Sequence, residues 1–178
     1  MIASILTLTP KDIQQAGIHD QYGMHKAVYS LFPGNSRDFL YLDQGGNRQQ
    51  RIILILSHRQ PILPEYGSIE SKEVPEGFCT YSRYAFQVRV NPVITQSNTG
   101  KRIAVKELAE LHNWFTGKAK EWGFKVQNDS LEVIYNGVQQ FMKGKQMVVH
   151  NVADFRGILD VSDRDRFIQS FTNGVGKA

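Results

Sequence analysis

Tyr22-Gly23-Met24-His25-Lys26-Ala27-Val28-Tyr29-Ser30-Leu31 is the stretch on which the fold turns, because it reads as a helix set between strands. At about 100° per residue, Tyr22, His25, Lys26 and Tyr29 fall within about 100° of one another, and Met24, Ala27, Val28 and Leu31 gather on the opposite side. The second group is expected to be buried and the Tyr/His/Lys face to point outward. Phe32-Pro33-Gly34 ends the helix, since proline cannot continue it. Upstream, Ile2 to Leu8 favours a strand, and Thr9-Pro10 supplies an N-cap and a first helical residue for a short turn. Downstream, Asp38 to Leu42 and Arg51 to Ser57 read as a hairpin joined through Gln44-Gly45-Gly46-Asn47. Tyr84 to Asn91 alternates, with Phe86, Val88 and Val90 on one face and Gln87, Arg89 and Asn91 on the other. With a short helical turn expected between Glu65 and Glu73, the order is that of a ferredoxin-like βαββαβ unit over residues 1–94.

A second set of elements follows a linker placed between Asn91 and Gly100, where Pro, Ser, Asn, Thr and Gly cluster. Arg102 to Val105 is a short strand candidate. Leu108, Leu111, Phe115, Ala119 and Trp122 then recur at helical spacing up to Gly123. Leu131 to Tyr135, Gln146 to His150 and Phe155 to Val161 supply strands, with Lys143-Gly144-Lys145 at a turn. A last helix opens at Ser162-Asp163, carries Phe167, Ile168 and Phe171, and stops at Asn173-Gly174. The expectation is therefore an α+β protein of two tandem ferredoxin-like domains, 1–94 and 95–178.

Composition sets the surroundings. The chain has 178 residues and 41% hydrophobic content, enough for a packed core in two small domains. Cys79 stands alone, which excludes an internal disulfide and any zinc site built on several cysteines. No stretch approaches the roughly 18 apolar residues of a membrane span, and the start lacks the pattern of a signal peptide, so a soluble, cytoplasmic protein is expected. Net charge is +4 with a pI near 9.2, which admits a polyanionic partner. From Lys101 to Lys145, eight Lys/Arg stand against five acids, a modest basic excess that a solvated face would also show.

Imidazole is the side chain whose ordinary titration lies near neutral pH, and beside a phenol and an ammonium it suits acid/base work on a phosphodiester. His19, His58, His112 and His150 have no partners at metal-binding spacing and read as structural or solvated. Trp114 and Trp122 lie in the apolar stripe and read as packing residues.

Tyr22-Gly-Met-His25, Leu31-Phe32-Pro33, Arg37-Asp38-Phe39-Leu40, Phe86-Gln-Val-Arg-Val-Asn91-Pro92 and Thr99-Gly-Lys-Arg-Ile-Ala-Val-Lys106 occur in an order that resembles the CasE-type CRISPR RNA-processing endoribonucleases of the RAMP superfamily. Phe155-Arg-Gly-Ile-Leu-Asp-Val161 and Asn173-Gly-Val-Gly-Lys177 are similar to that family's last strand-helix unit and the opening of its glycine-rich loop. The resemblance implies tandem ferredoxin-like domains that bind the stem-loop of a CRISPR repeat and cut precursor crRNA once without a metal ion or cofactor. The RNA's own 2′-hydroxyl is the implied nucleophile, leaving a 2′,3′-cyclic phosphate. The retained crRNA then joins other Cascade subunits. On this reading His25 is a proton-transfer group, Tyr22 orients the ribose or scissile phosphate, and Lys26 is a candidate for charge stabilisation. Which oxygen His25 serves stays open. The RNA-binding candidates are Lys101, Arg102, Arg89, Lys143, Lys145 and Lys177. The free protein is expected to be a monomer. Family members continue past Gly174-Val-Gly-Lys-Ala178 into a glycine-rich loop and a final strand, so the second domain is expected to lack these. A non-catalytic RNA-binding RAMP-type subunit is the alternative.

Overall fold

The computed structural model describes residues 1–34, 37–143 and 146–175. Its contacts divide the chain into two compact units, Met1–Glu76 with Phe141–Val148, and Gly77–Gln140 with Val149–Ala178.

The first unit opens with β1 (Ile2–Leu8), whose alternate residues Leu6 and Leu8 are buried. Thr9 then caps α1 (Pro10–Gln15): its hydroxyl accepts from the Asp12 backbone N–H, and the Asp12 carboxylate accepts from the Thr9 N–H. Helix α2 (Gln21–Ser30) starts at Asp20, whose carboxylate accepts from the Gly23 N–H at 2.7 Å. Met24, Val28 and Leu31 are buried, as the helical spacing predicts. Strands β2 (Phe39–Gly46), β3 (Arg51–Ser57) and β4 (Ser68–Glu73) complete an antiparallel sheet in the order β2-β3-β1-β4. That order, with a helix crossing between β1 and β2, is the ferredoxin-like arrangement.

The helical turn expected between Glu65 and Glu73 is corrected: β4 occupies most of it, paired to β1 from Ile2↔Glu73 to Thr7↔Ser68. Ser-Ile-Glu-Ser-Lys-Glu has one apolar residue and no strand periodicity, but charged residues are what an edge strand carries against sheet-to-sheet aggregation. Its backbone bonds to β1 decide its conformation, and these are invisible in the sequence.

The second unit begins its sheet with β5 (Arg83–Val90), the strand expected to close the first domain. It pairs antiparallel with β10 (Gln146–Val161), from Val90↔Ala153 to Arg83↔Asp160, so the division falls at Glu76/Gly77, ahead of the anticipated linker. Between them lie β6 (Val93–Thr95), β7 (Arg102–Ala104), α3 (Leu108–Glu121), β8 (Phe124–Val126) and β9 (Glu132–Lys143); α4 (Arg164–Asn173) follows β10. The main sheet runs β5-β10-β8, with β9 paired to β10, while β6 and β7 form a separate two-stranded hairpin.

The α3 stripe is buried at Leu111, Phe115 and Ala119; Leu108 is exposed. Phe115 stacks on Phe155 with ring centroids 4.3 Å apart and lies 5.5 Å from Phe86 and 5.4 Å from Trp122. Gly123 follows α3 at φ 90°, where a Cβ would stand 2.4 Å from the Phe167 N and 2.5 Å from the Asp163 O. Only glycine lets α4 start so close to the end of α3. Asp163 caps α4 by accepting from the Arg166 N–H. Among the described residues no helix is long and apolar enough to cross a membrane.

Candidate active site

The site is assembled where α2 lies along β2. Residues 21, 25 and 29 advance about 6 Å per step along the helix, and residues 43, 41 and 39 advance about 6.7 Å per step along the strand. The near match keeps three rungs in register. Gln21 Nε2 donates to Asp43 Oδ2 at 3.5 Å, His25 Nδ1 is 3.3 Å from the Tyr41 hydroxyl, and the Tyr29 ring meets Phe39 edge-on at 4.9 Å.

The expected outward-facing Tyr/His/Lys surface is thereby corrected. His25 is half-buried, its ring centroid 4.1 Å from Tyr29 and 6.2 Å from Tyr41, and Tyr29 packs on the core of the first unit. Tyr22 lies parallel to the imidazole at 6.3 Å, and the Lys26 ammonium sits 5.2 Å over the Tyr22 ring. Of the four, Lys26 alone is exposed. It also stands on the rim of a groove of about 270 Å³ lined by Gly23, Ser30, Pro64 and Tyr66. The structure thus brings Tyr22, His25 and Lys26 together and adds Tyr29 and Tyr41. Sequence reasoning passed over Tyr41, although strand alternation already put it in phase with Phe39.

Asp43 anchors the first turn of α2. It is 4% exposed, takes a two-pronged contact from Arg51 (Nε to Oδ1 3.1 Å, Nη2 to Oδ2 2.5 Å), and accepts from the Gly45 N–H at 2.9 Å. Asp43→Ala would leave the partly buried guanidinium without this partner and is expected to cost about 2–3 kcal/mol, less than a fully desolvated pair because Arg51 retains some solvent. Urea denaturation of the single variants and of Asp43→Ala/Arg51→Ala checks it; additive losses would show that the two are not coupled.

The RNA-binding candidates separate by position. Lys101 and Arg102 are exposed on the β6–β7 hairpin, whose turn is closed by hydrogen bonds from the Gln96 N–H to the Lys101 carbonyl and from the Gly100 N–H to the Gln96 carbonyl. Gly100 takes φ 65° there, a conformation that glycine adopts without strain. Lys143 ends β9, and Lys145 and Lys177 lie outside the described residues.

Arg89 lies on the polar side of β5, as the alternation predicts, and is ion-paired there. Asp154, 5% exposed and directly opposite on β10, accepts from its Nε at 2.6 Å and its Nη2 at 2.7 Å. Its neighbours on that face are paired too: Arg83 with Asp160, and Arg156 with Glu132. Hydrogen bonds from Arg83 and Gln127 hold the Asp160 carboxyl below the usual carboxylate range. That contribution is present above the ordinary carboxylate range and is lost on acidification through the lowered value. Each of these three arginines is thus matched by a carboxylate. Among the described residues no three of His, Cys, Asp and Glu gather at metal-binding distance.

Two α+β units, the first of ferredoxin-like strand order with a histidine, tyrosine and lysine cluster on its crossing helix, define the class. The family model described as CRISPR associated protein matches residues 1–178, and the chain belongs to that family. It is 24% identical over 176 residues to the CRISPR-associated endoribonuclease Cse3 of Thermus thermophilus, covering 87% of this chain and 83% of the relative. In fold it is similar to CRISPR endoribonuclease Cse3 bound to a 19-nucleotide RNA, with a TM-score of 0.82, 21% identity and coverage of 100% and 94% of the two chains. It is also similar to the CRISPR-associated protein Cas6e of Escherichia coli K-12, with a TM-score of 0.73, 20% identity and coverage of 100% and 93%. The CasE-type resemblance and the tandem ferredoxin-like fold are both borne out.

Proposed function

We propose that this protein is an endoribonuclease of CRISPR RNA processing that cuts the repeat stem-loop of precursor crRNA without a metal ion and keeps the product for Cascade assembly. The observation that carries this reading is the half-buried His25, held at Nδ1 beside Tyr22 and Lys26 in a chain of the CRISPR associated family. The relative named an endoribonuclease and the RNA-bound fold neighbour support it.

The chemistry asks little of the protein beyond placement. The ribose 2′-oxygen attacks phosphorus in line, the bond from phosphorus to the 5′-oxygen breaks, and the ends are a 2′,3′-cyclic phosphate and a 5′-hydroxyl. One proton leaves the 2′-hydroxyl and one arrives at the departing 5′-oxygen; His25 handles one of the two, a role worth on the order of 10²–10⁴ in rate. Tyr22 orients the ribose or phosphate by hydrogen bonding. Lys26 offsets charge growing on the phosphoryl oxygens. Mapping the ends left on a cognate repeat RNA tests the assignment. A 3′-hydroxyl with a 5′-phosphate would exclude attack by the 2′-oxygen.

Binding rests on the exposed Lys101 and Arg102, with Lys143, Lys145 and Lys177 as further phosphate contacts. Affinity for the stem-loop is expected to fall steeply with salt, and replacing Lys101 or Arg102 by Ala to flatten the plot of log K against log salt by about one counterion each. Filter binding across a salt series measures it. A slope untouched by both variants would remove the hairpin from the interface.

A further inference from the structure

We propose that the groove between α2 and residues 64–66 is a subsite for one unpaired nucleobase of the RNA, that of the nucleotide adjoining the scissile phosphate, and that it favours a base with an exocyclic amine. The inference rests on the nuclease reading above for the place of the cut. The groove lies wholly within the first unit. Its floor is apolar, formed by Leu6 and Leu8 of β1 and by Ile18, none more than 7% exposed. Pro64 and Tyr66 stand on one side, and Lys26 and Ser30 of α2 on the other. Gly67, at φ 84°, seats the 64–66 segment against β1: a Cβ there would stand 2.5 Å from the Thr7 carbonyl oxygen and 2.6 Å from a Leu8 methyl carbon. The volume of about 270 Å³ falls just short of the roughly 300–1,000 Å³ of sites for drug-sized molecules, which suits one base better than two.

Chemistry and location together commit the groove to a base. An apolar floor with a tyrosine and a proline beside it matches the faces of a planar heterocycle, and proteins that read RNA sequence take unpaired bases, splayed out of the strand, against aromatic side chains. A paired base has its hydrogen-bonding edge occupied and stays in its stack, so the occupant is unpaired. Lys26 belongs both to the groove and to the His25 cluster, its ammonium 5.2 Å over the Tyr22 ring. A phosphate met by that ammonium therefore brings the neighbouring base to the mouth of the groove. Glu65 also lines it, although a carboxylate repels phosphate. The amine of adenine or cytosine gives this carboxylate a donor, whereas uracil carries a carbonyl oxygen in that place. Glu65 and Tyr66 act as neighbours: the hydrogen bond and charge of Glu65 hold the phenol above its ordinary range, and a carboxylate with about four lone-pair sites can take an amine as well.

The test reads binding alone, on cognate repeat stem-loops made uncleavable by a 2′-deoxy residue at the cut site and carrying adenine, cytosine, uracil or no base at the adjoining unpaired nucleotide. Wild type is expected to bind the adenine and cytosine RNAs about tenfold more tightly than the abasic RNA, the scale of one stacked base, with uracil between them. Tyr66→Ala is expected to erase the difference between base-bearing and abasic RNA while leaving affinity for the abasic RNA unchanged. Glu65→Gln is expected to bring uracil level with adenine and cytosine. Neither side chain belongs to the core of the first unit, so both variants are expected to fold. Equal binding of base-bearing and abasic RNA by wild type, or a Tyr66→Ala variant that keeps the difference or loses affinity for every RNA alike, would overturn the subsite even if cleavage proceeds as proposed. Uracil bound as tightly as adenine by wild type would overturn the preference for an amine. A base preference that vanishes in Tyr66→Ala, in a protein that leaves the all-ribose RNA uncut, would uphold the base site and sink the nuclease reading instead.

Discussion

His25→Ala is expected to lower single-turnover cleavage of the cognate stem-loop by about 10²–10⁴ while leaving its dissociation constant within a few-fold of wild type. The split follows from location. His25 touches Tyr22, Tyr29 and Tyr41, whereas the hairpin lysine and arginine proposed to hold phosphates lie in the other compact unit. Truncation to alanine removes the proposed proton carrier but not the residues that shape α2, because Met24, Val28 and Leu31 bury the helix from its opposite side. The fold therefore survives, and a thermal melt within a few degrees of wild type accompanies the lost rate. Equal loss of binding and cleavage would instead make His25 a contact residue and favour a non-catalytic RNA-binding subunit.

Phe115→Ala is expected to destabilise the second unit by about 3–5 kcal/mol, the range for deleting a buried aromatic side chain. Phe115 is fully buried and packs its ring against Phe86, Trp122, Phe124 and Phe155. The loss has two parts: the transfer of the removed ring, and a cavity that four aromatic neighbours, each fixed by its own strand or helix, cannot refill. Rigid rings collapse poorly. At about 4–8 °C per kcal/mol for a domain of this size, the corresponding transition should fall by more than 10 °C. Differential scanning calorimetry reads it directly. A shift of a degree or two would mean that this cluster does not hold the unit together.

Helix α2 was legible throughout, because its stop at Pro33-Gly34 and its apolar face are local signals. The cap at Thr9-Pro10 and the alternation of β5 were legible for the same reason. The edge strand β4 was not, since its hydrogen bonds to β1 lie more than sixty residues away and its own composition is that of a loop. That misreading propagated: with β4 unseen, β5 took its place as the last strand of the first domain, and the boundary moved with it. The site shows the same limit. Tyr22, His25 and Lys26 share a helical face and could be grouped by counting, but the presence of Tyr41 depends on which strand lies under that face. Alternation correctly put Arg89 on the polar side of β5. It could not reveal Asp154, sixty-five positions on, which claims the guanidinium.

The central claim is that the RNA's 2′-hydroxyl is the nucleophile and that His25, with no metal ion, moves a proton for it. The most direct measurement uses two cognate repeat stem-loops in excess EDTA, one all-ribose and one with a single 2′-deoxy residue at the cut site. The account predicts that the all-ribose RNA is cut once to a 2′,3′-cyclic phosphate and a 5′-hydroxyl, and that the 2′-deoxy RNA binds equally well and stays intact. Cleavage of the 2′-deoxy RNA, or failure of the all-ribose RNA to be cut until a divalent ion is restored, would contradict it.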